Sequence, residues 1–104
     1  MKEFRGDTIA FTLSGNRTFE KGDKVRVGIK QNIETDEYAI PIKTIDVEED
    51  KESLDIVFGY EEAETLKPGK YKIEVELTTN SGIRETIMQK DLTIESDVVK
   101  WNSI

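Results

Sequence analysis

Residues 71–77, YKIEVEL, alternate without a break. Tyr71, Ile73, Val75 and Leu77 fall on one side, Lys72, Glu74 and Glu76 on the other. A period of two is the mark of a strand with one buried and one wet face. The same rhythm runs through DTIAFTL (Ile9, Phe11, Leu13), KVRVGIK (Val25, Val27, Ile29), YAIPI (Tyr38, Ile40, Ile42) and LDIVF (Leu54, Ile56, Phe58). Val57 leaves the last of these apolar on both faces. Between Ile83 and Ile94 the parity changes: Ile83 and Ile87 share one side, Met88, Leu92 and Ile94 the other. One extra residue flips the faces, so a bulge is expected between them. Strand-like runs spaced by roughly 10–15 residues predict an all-β antiparallel sandwich of about six to eight strands.

The punctuation fits that reading. Ser14-Gly15-Asn16, Lys21-Gly22-Asp23 and Lys67-Pro68-Gly69 are expected turns, and Asn80-Ser81-Gly82 a short hairpin loop. Pro41 cannot donate to a ladder, which assigns YAIPI to an edge strand or a bulge. One short helical turn is expected near residues 61–66, EEAETL. With no repeat or internal linker, residues 1–97 read as a single domain followed by a tail, 98–104.

Composition narrows the chemistry. The 104 residues contain no cysteine and no histidine, which removes disulfides, Cys/His zinc sites and Ser-His-Asp or Cys-His nucleophiles. Acidic side chains outnumber basic ones 22 to 15, and the net charge of −7 opposes nucleic acid and anionic lipid. Basic residues are dispersed among acids, with no stripe of stacking aromatics. The N-terminus lacks the apolar h-region of a secretory signal, so synthesis in a cytoplasm without export by that route is expected.

Three segments invite functional readings. Asp46, Glu48, Glu49, Asp50 and Glu52, with Glu61, Glu62 and Glu64 beyond, could suggest a calcium site, but the EF-hand spacing and its glycine are missing. A solvated acidic connection that discourages edge pairing is the expectation, with no metal, cofactor or catalytic residues. Arg5-Gly6-Asp7 spells an integrin-binding tripeptide, yet a glycine turn opening the first core strand accounts for it. The tail holds the single tryptophan. It reads as a last strand tucked against the body, as a partly disordered terminus, or as a partner anchor, which makes Val98, Val99 and Trp101 candidate partner contacts.

Leu66-Lys67-Pro68-Gly69-Lys70-Tyr71 joins a leucine, a Pro-Gly turn and a tyrosine opening an alternating strand. It resembles the tyrosine corner of immunoglobulin-like sandwiches, in which the ring packs in the core and its hydroxyl bonds to upstream backbone. Leu66, Pro68, Gly69 and Tyr71 are thus expected structural corner residues. The order Arg5-Gly6-Asp7-Thr8, Ser-Gly-Asn turn, Val-x-Val-x-Ile strand, corner, Asn80-Ser81-Gly82 and Leu92-Thr93-Ile94 resembles the N-terminal domain of bacteriophage baseplate upper proteins. That resemblance implies an immunoglobulin-like sandwich and a non-enzymatic structural or attachment role in a phage tail, baseplate or prophage-derived particle. The implied location is the virion, and the implied partners are other tail or baseplate proteins or further copies of the chain. A bacterial immunoglobulin-like module that binds carbohydrate or a surface protein is the alternative.

Overall fold

The computed structural model describes residues 1–32 and 34–96. Among these, seven strands run in chain order with one helical turn: β1 (Lys2–Phe4), β2 (Ile9–Phe19), β3 (Lys24–Lys30), β4 (Lys43–Asp46), β5 (Lys51–Phe58), α1 (Tyr60–Ala63), β6 (Gly69–Thr78) and β7 (Arg84–Glu95). They form a five-stranded sheet ordered β1-β7-β6-β3-β4 and a two-stranded sheet, β2-β5. Every pairing is antiparallel except β1 with β7, which is parallel.

The core lies where the alternation places it. Val25, Val27 and Ile29 of β3, Tyr71, Ile73, Val75 and Leu77 of β6, and Leu54, Ile56 and Phe58 of β5 are all buried, together with Ile9 and Leu13 of β2. Phe11, between the last two, is only half-buried and packs against the rim of this cluster. The parity change in β7 is a bulge: Val75 pairs with Met88 and Glu76 with Thr86, which leaves Ile87 as the extra residue.

Four local expectations need correction. Ser14-Gly15-Asn16 is no turn; it lies within β2. From Ser14 to Phe19 β2 advances five positions while β5 advances only two, from Ser53 to Lys51, so the extra residues bulge. Gly15, at φ +147°, supplies a backbone conformation that a side chain resists. The YAIPI run is not a strand either, and the edge strand β4 begins at Lys43, after Pro41. The segment stays beside β3 through the Ala39 amide, which donates to the Ile29 carbonyl at 2.8 Å. Within it Ile40 enters the core while Tyr38 lies across the outer side of Gly28. The helical turn starts and stops earlier than expected, at Tyr60–Ala63. Glu62 Oε1 accepts from the Gly59 amide at 3.2 Å and fixes the start. Past Ala63, Thr65 Oγ1 donates to the Glu62 carbonyl, a local bond that competes with helix continuation. Lys30, expected on a wet face, is buried at 6% exposure. Its Nζ donates to the Thr35 carbonyl at 2.9 Å and sits 4.6 Å from the Tyr38 ring centroid.

Candidate interaction surfaces

The corner holds the head of β6. Tyr71 is buried and its hydroxyl donates to the Lys67 carbonyl at 2.7 Å. Leu66 is buried just upstream, and Gly69 opens the strand after Pro68. Ring burial and hydroxyl bonding together clamp the connection from α1 to β6, which makes this a structural group.

At the opposite end of β6, Asp23 draws three loops together. It is the most enclosed carboxylate among the described residues, at 4% exposure. Its Oδ2 accepts from the Glu20 amide at 2.9 Å, and its Oδ1 from the Asn80 amide at 2.9 Å. Its backbone carbonyl accepts from the Val47 amide, also at 2.9 Å. The β2–β3 turn and the β6–β7 hairpin are thereby tied to one side chain, and the β4–β5 connection to the backbone of the same residue. Sequence reading assigned Asp23 only to a turn. The available signal was an Asp after Gly22 in a turn cluster, a residue type that caps local amides.

The outer face of the five-stranded sheet is laced with charge. Glu76 Oε1 lies 3.5 Å from both Arg26 Nη1 and Arg84 Nε. Gln89 donates to Glu74 at 3.1 Å, and Lys72 is hydrogen-bonded to Asp91. The Lys72 ammonium holds the Asp91 carboxyl below its ordinary value, first through that hydrogen bond and then through its charge. The two-stranded sheet is different. Its outward pairs are Ala10 with Val57, Thr12 with Asp55 and Ser14 with Ser53, with Val57 an exposed hydrophobic. Its one outward carboxylate in that stretch, Asp55, accepts from the Thr12 hydroxyl at 2.7 Å.

The acidic residues between β4 and β5 do not converge. Asp50 accepts from the Lys21 amide at 3.0 Å, and Asp46 lies 3.9 Å from Lys24 Nζ. Among the described residues no three Asp or Glu side chains group as metal ligands would. A shallow hollow of about 380 Å³ is lined by Ile45–Glu49, Lys51 and Leu54. Arg5-Gly6-Asp7 forms the turn from β1 to β2, with the Asp7 amide donating to the Phe4 carbonyl at 3.1 Å. No helix among the described residues is long and apolar enough to cross a membrane. The candidate partner contacts Val98, Val99 and Trp101 lie outside the described residues.

No protein-family model, no curated protein and no solved structure matches this chain.

Proposed function

We propose that the chain is a non-enzymatic structural or attachment module, acting in a phage tail, a baseplate or a prophage-derived particle through contact with other proteins. The phage setting is supported by the ordered motif resemblance from Arg5-Gly6-Asp7-Thr8 to Leu92-Thr93-Ile94. The non-enzymatic role is supported by one observation above all: the enclosed polar groups serve the scaffold. The Asp23 carboxylate is occupied by two backbone amides and the Tyr71 hydroxyl by a backbone carbonyl. A general base or nucleophile would need those groups turned toward a substrate.

The test is association. The purified chain is mixed with the products of neighbouring tail genes and followed by light scattering over a range of concentrations. Concentration-dependent complexes are expected. Failure to associate with any of them, together with saturable binding on a glycan array, would replace this reading with the carbohydrate-binding one.

A further inference from the structure

The outer face of the five-stranded sheet carries its charges in an order. Side chains that alternate with the buried ones point outward, and the strand register sets them in rows across the sheet. Along β6 the outward series is Lys70, Lys72, Glu74 and Glu76, two cations followed by two carboxylates. Along β7 the order is reversed. Asp91 stands in the Lys72 row and Glu95 just past the Lys70 end, while Arg84 stands opposite Thr78 at the Glu76 end. Both strands are thus oppositely charged at their two ends. Lys70, Gln89, Asp91 and Arg84 are exposed, and Glu74 and Glu76 partly so, which makes this face open at its own side chains. Lys70 forms no ion pair among the described residues.

Cations and carboxylates nearly balance on this face, whereas the chain as a whole carries −7. Two copies that meet here avoid most of the repulsion between them. Two kinds of twofold axis can set the face against a copy of itself. An axis along β6 lays each row on its own mate, so Lys70 meets Lys70 and Glu74 meets Glu74. Like charges oppose that arrangement. An axis across the strands, midway between Lys72 and Glu74, reverses the rows and keeps each strand over its own copy. β6 then lies antiparallel on β6, with Lys72 facing Glu74 and Lys70 facing Glu76. On β7 the same operation brings Glu95 over Arg84. By symmetry each of these contacts is made twice. Tyr38 lies over Gly28, in the Glu74 row, and is partly exposed, so it falls close to the axis and to its own mate.

We propose that two copies of the chain dock through the outer face of the five-stranded sheet, β6 antiparallel to β6, with Lys70–Glu76 and Lys72–Glu74 as reciprocal pairs. Packed sheet faces stand about 10 Å apart, a gap that facing lysine and glutamate side chains span. Asp91 already holds Lys72, and Arg26 and Arg84 already hold Glu76, so little side-chain freedom remains to be lost on docking. Five strands about 4.8 Å apart and the ten residues of β6 at about 3.3 Å each give a face of roughly 600 Å² per copy. That is the low end of specific interfaces, so the dimer is weak and reversible. The inference deepens the attachment reading by naming the surface and a second copy as the partner. It rests on that reading only for its biological setting.

The experiment is sedimentation equilibrium on the full chain at concentrations up to about 1 mM, where a dimer with a dissociation constant of about 0.1–1 mM is expected. Lys70→Glu and Glu76→Lys should each weaken self-association about tenfold, since each turns two attractions into repulsions. Mixed one to one, the two variants should pair with each other about as tightly as the unaltered chain does with itself. Both reciprocal contacts are then restored with their signs exchanged. With the Lys70→Glu chain ¹⁵N-labelled, amide shifts along β6 and β7 should appear on adding unlabelled Glu76→Lys chain and not on adding unlabelled Lys70→Glu chain. Dispersed amide spectra check that each variant folds. Should Glu76→Lys fail to fold beside Arg26 and Arg84, Lys72→Glu mixed with Glu74→Lys poses the same exchange. A monomer at every concentration, a dimer indifferent to the swaps, or a mixture no tighter than its parts would each overturn the proposal. Tighter pairing of Lys70→Glu with the unaltered chain than of that chain with itself would overturn it too, because like rows would then be meeting. The two readings fail separately: the chain can stay monomeric alone and still join tail proteins, or dimerise and join none.

Discussion

The two sheets answer the same problem, how to end in water, in opposite ways. The five-stranded sheet covers its outer face with paired charges and lays Tyr38 across Gly28, so close that an added Cβ would stand 2.3 Å from the ring. The β2-β5 pair has few outward charges, leaves Val57 exposed, and among the described residues holds β2 from one side only. Long charged side chains cost conformational entropy to order, and a sheet with strands on both sides supplies neighbours to hold them. The lesson is that β6 and β3 are held from both sides, while among the described residues β2 pairs with β5 alone.

The largest effect should come from the head of β6. Tyr71→Ala is expected to destabilise by about 3–5 kcal/mol, as large core truncations do, and Tyr71→Phe by about 1 kcal/mol for the lost hydroxyl bond. Denaturant titration measures both. A loss below about 1 kcal/mol for Tyr71→Ala would place the corner outside the stabilising core. Asp23→Ala comes next, at about 2–4 kcal/mol, because it strands the Glu20 and Asn80 amides without their acceptor. If the same melt shows no loss, the loop junction does not bind the two sheets together.

Gly28→Ala sharpens the comparison on the outer face. It must displace the Tyr38 ring and is expected to cost about 1–3 kcal/mol, the scale of overpacking. A neutral result would mean that Tyr38 moves aside freely. The smallest effect is electrostatic. NMR titration should find Asp91 ionising below the ordinary carboxylate value of about 3.9, with Lys72→Met returning it upward. A carboxyl held low when folded stabilises above its unfolded value, and that contribution fades as pH falls through the folded value. The pair is exposed, so this sheet's surface charge should barely move the overall melt.

Much of the five-stranded sheet was legible because its strands bury one face and wet the other. YKIEVEL and KVRVGIK bury their alternate residues, and the bulge at Ile87 followed from the parity switch. Other features turned on contacts that no local pattern carries. Tyr38, Ile40 and Ile42 share a parity, yet the chain beside β3 is irregular, so Ile40 goes inward and Tyr38 outward. Lys30 reads as a surface residue until Thr35 and Tyr38 close over it. Gly15 could turn a chain or bulge a strand, and only pairing with β5 decides. For the Asp23 junction, the Lys21-Gly22-Asp23 turn was visible, but the reach of its carboxylate to the Asn80 amide depends on which loops share an end of the sheet.

Hydrogen exchange of the unliganded full chain, read amide by amide, tests the contrast between the sheets most directly. Each β6 amide from Lys72 to Leu77 lies between β3 and β7 and should exchange only by global unfolding. Along β2, from Ile9 to Leu13, amides directed at β5 should exchange faster than those of β6, because β2 and β5 form the smaller sheet among the described residues. Protection along β2 equal to that of β6 would contradict the contrast between the sheets.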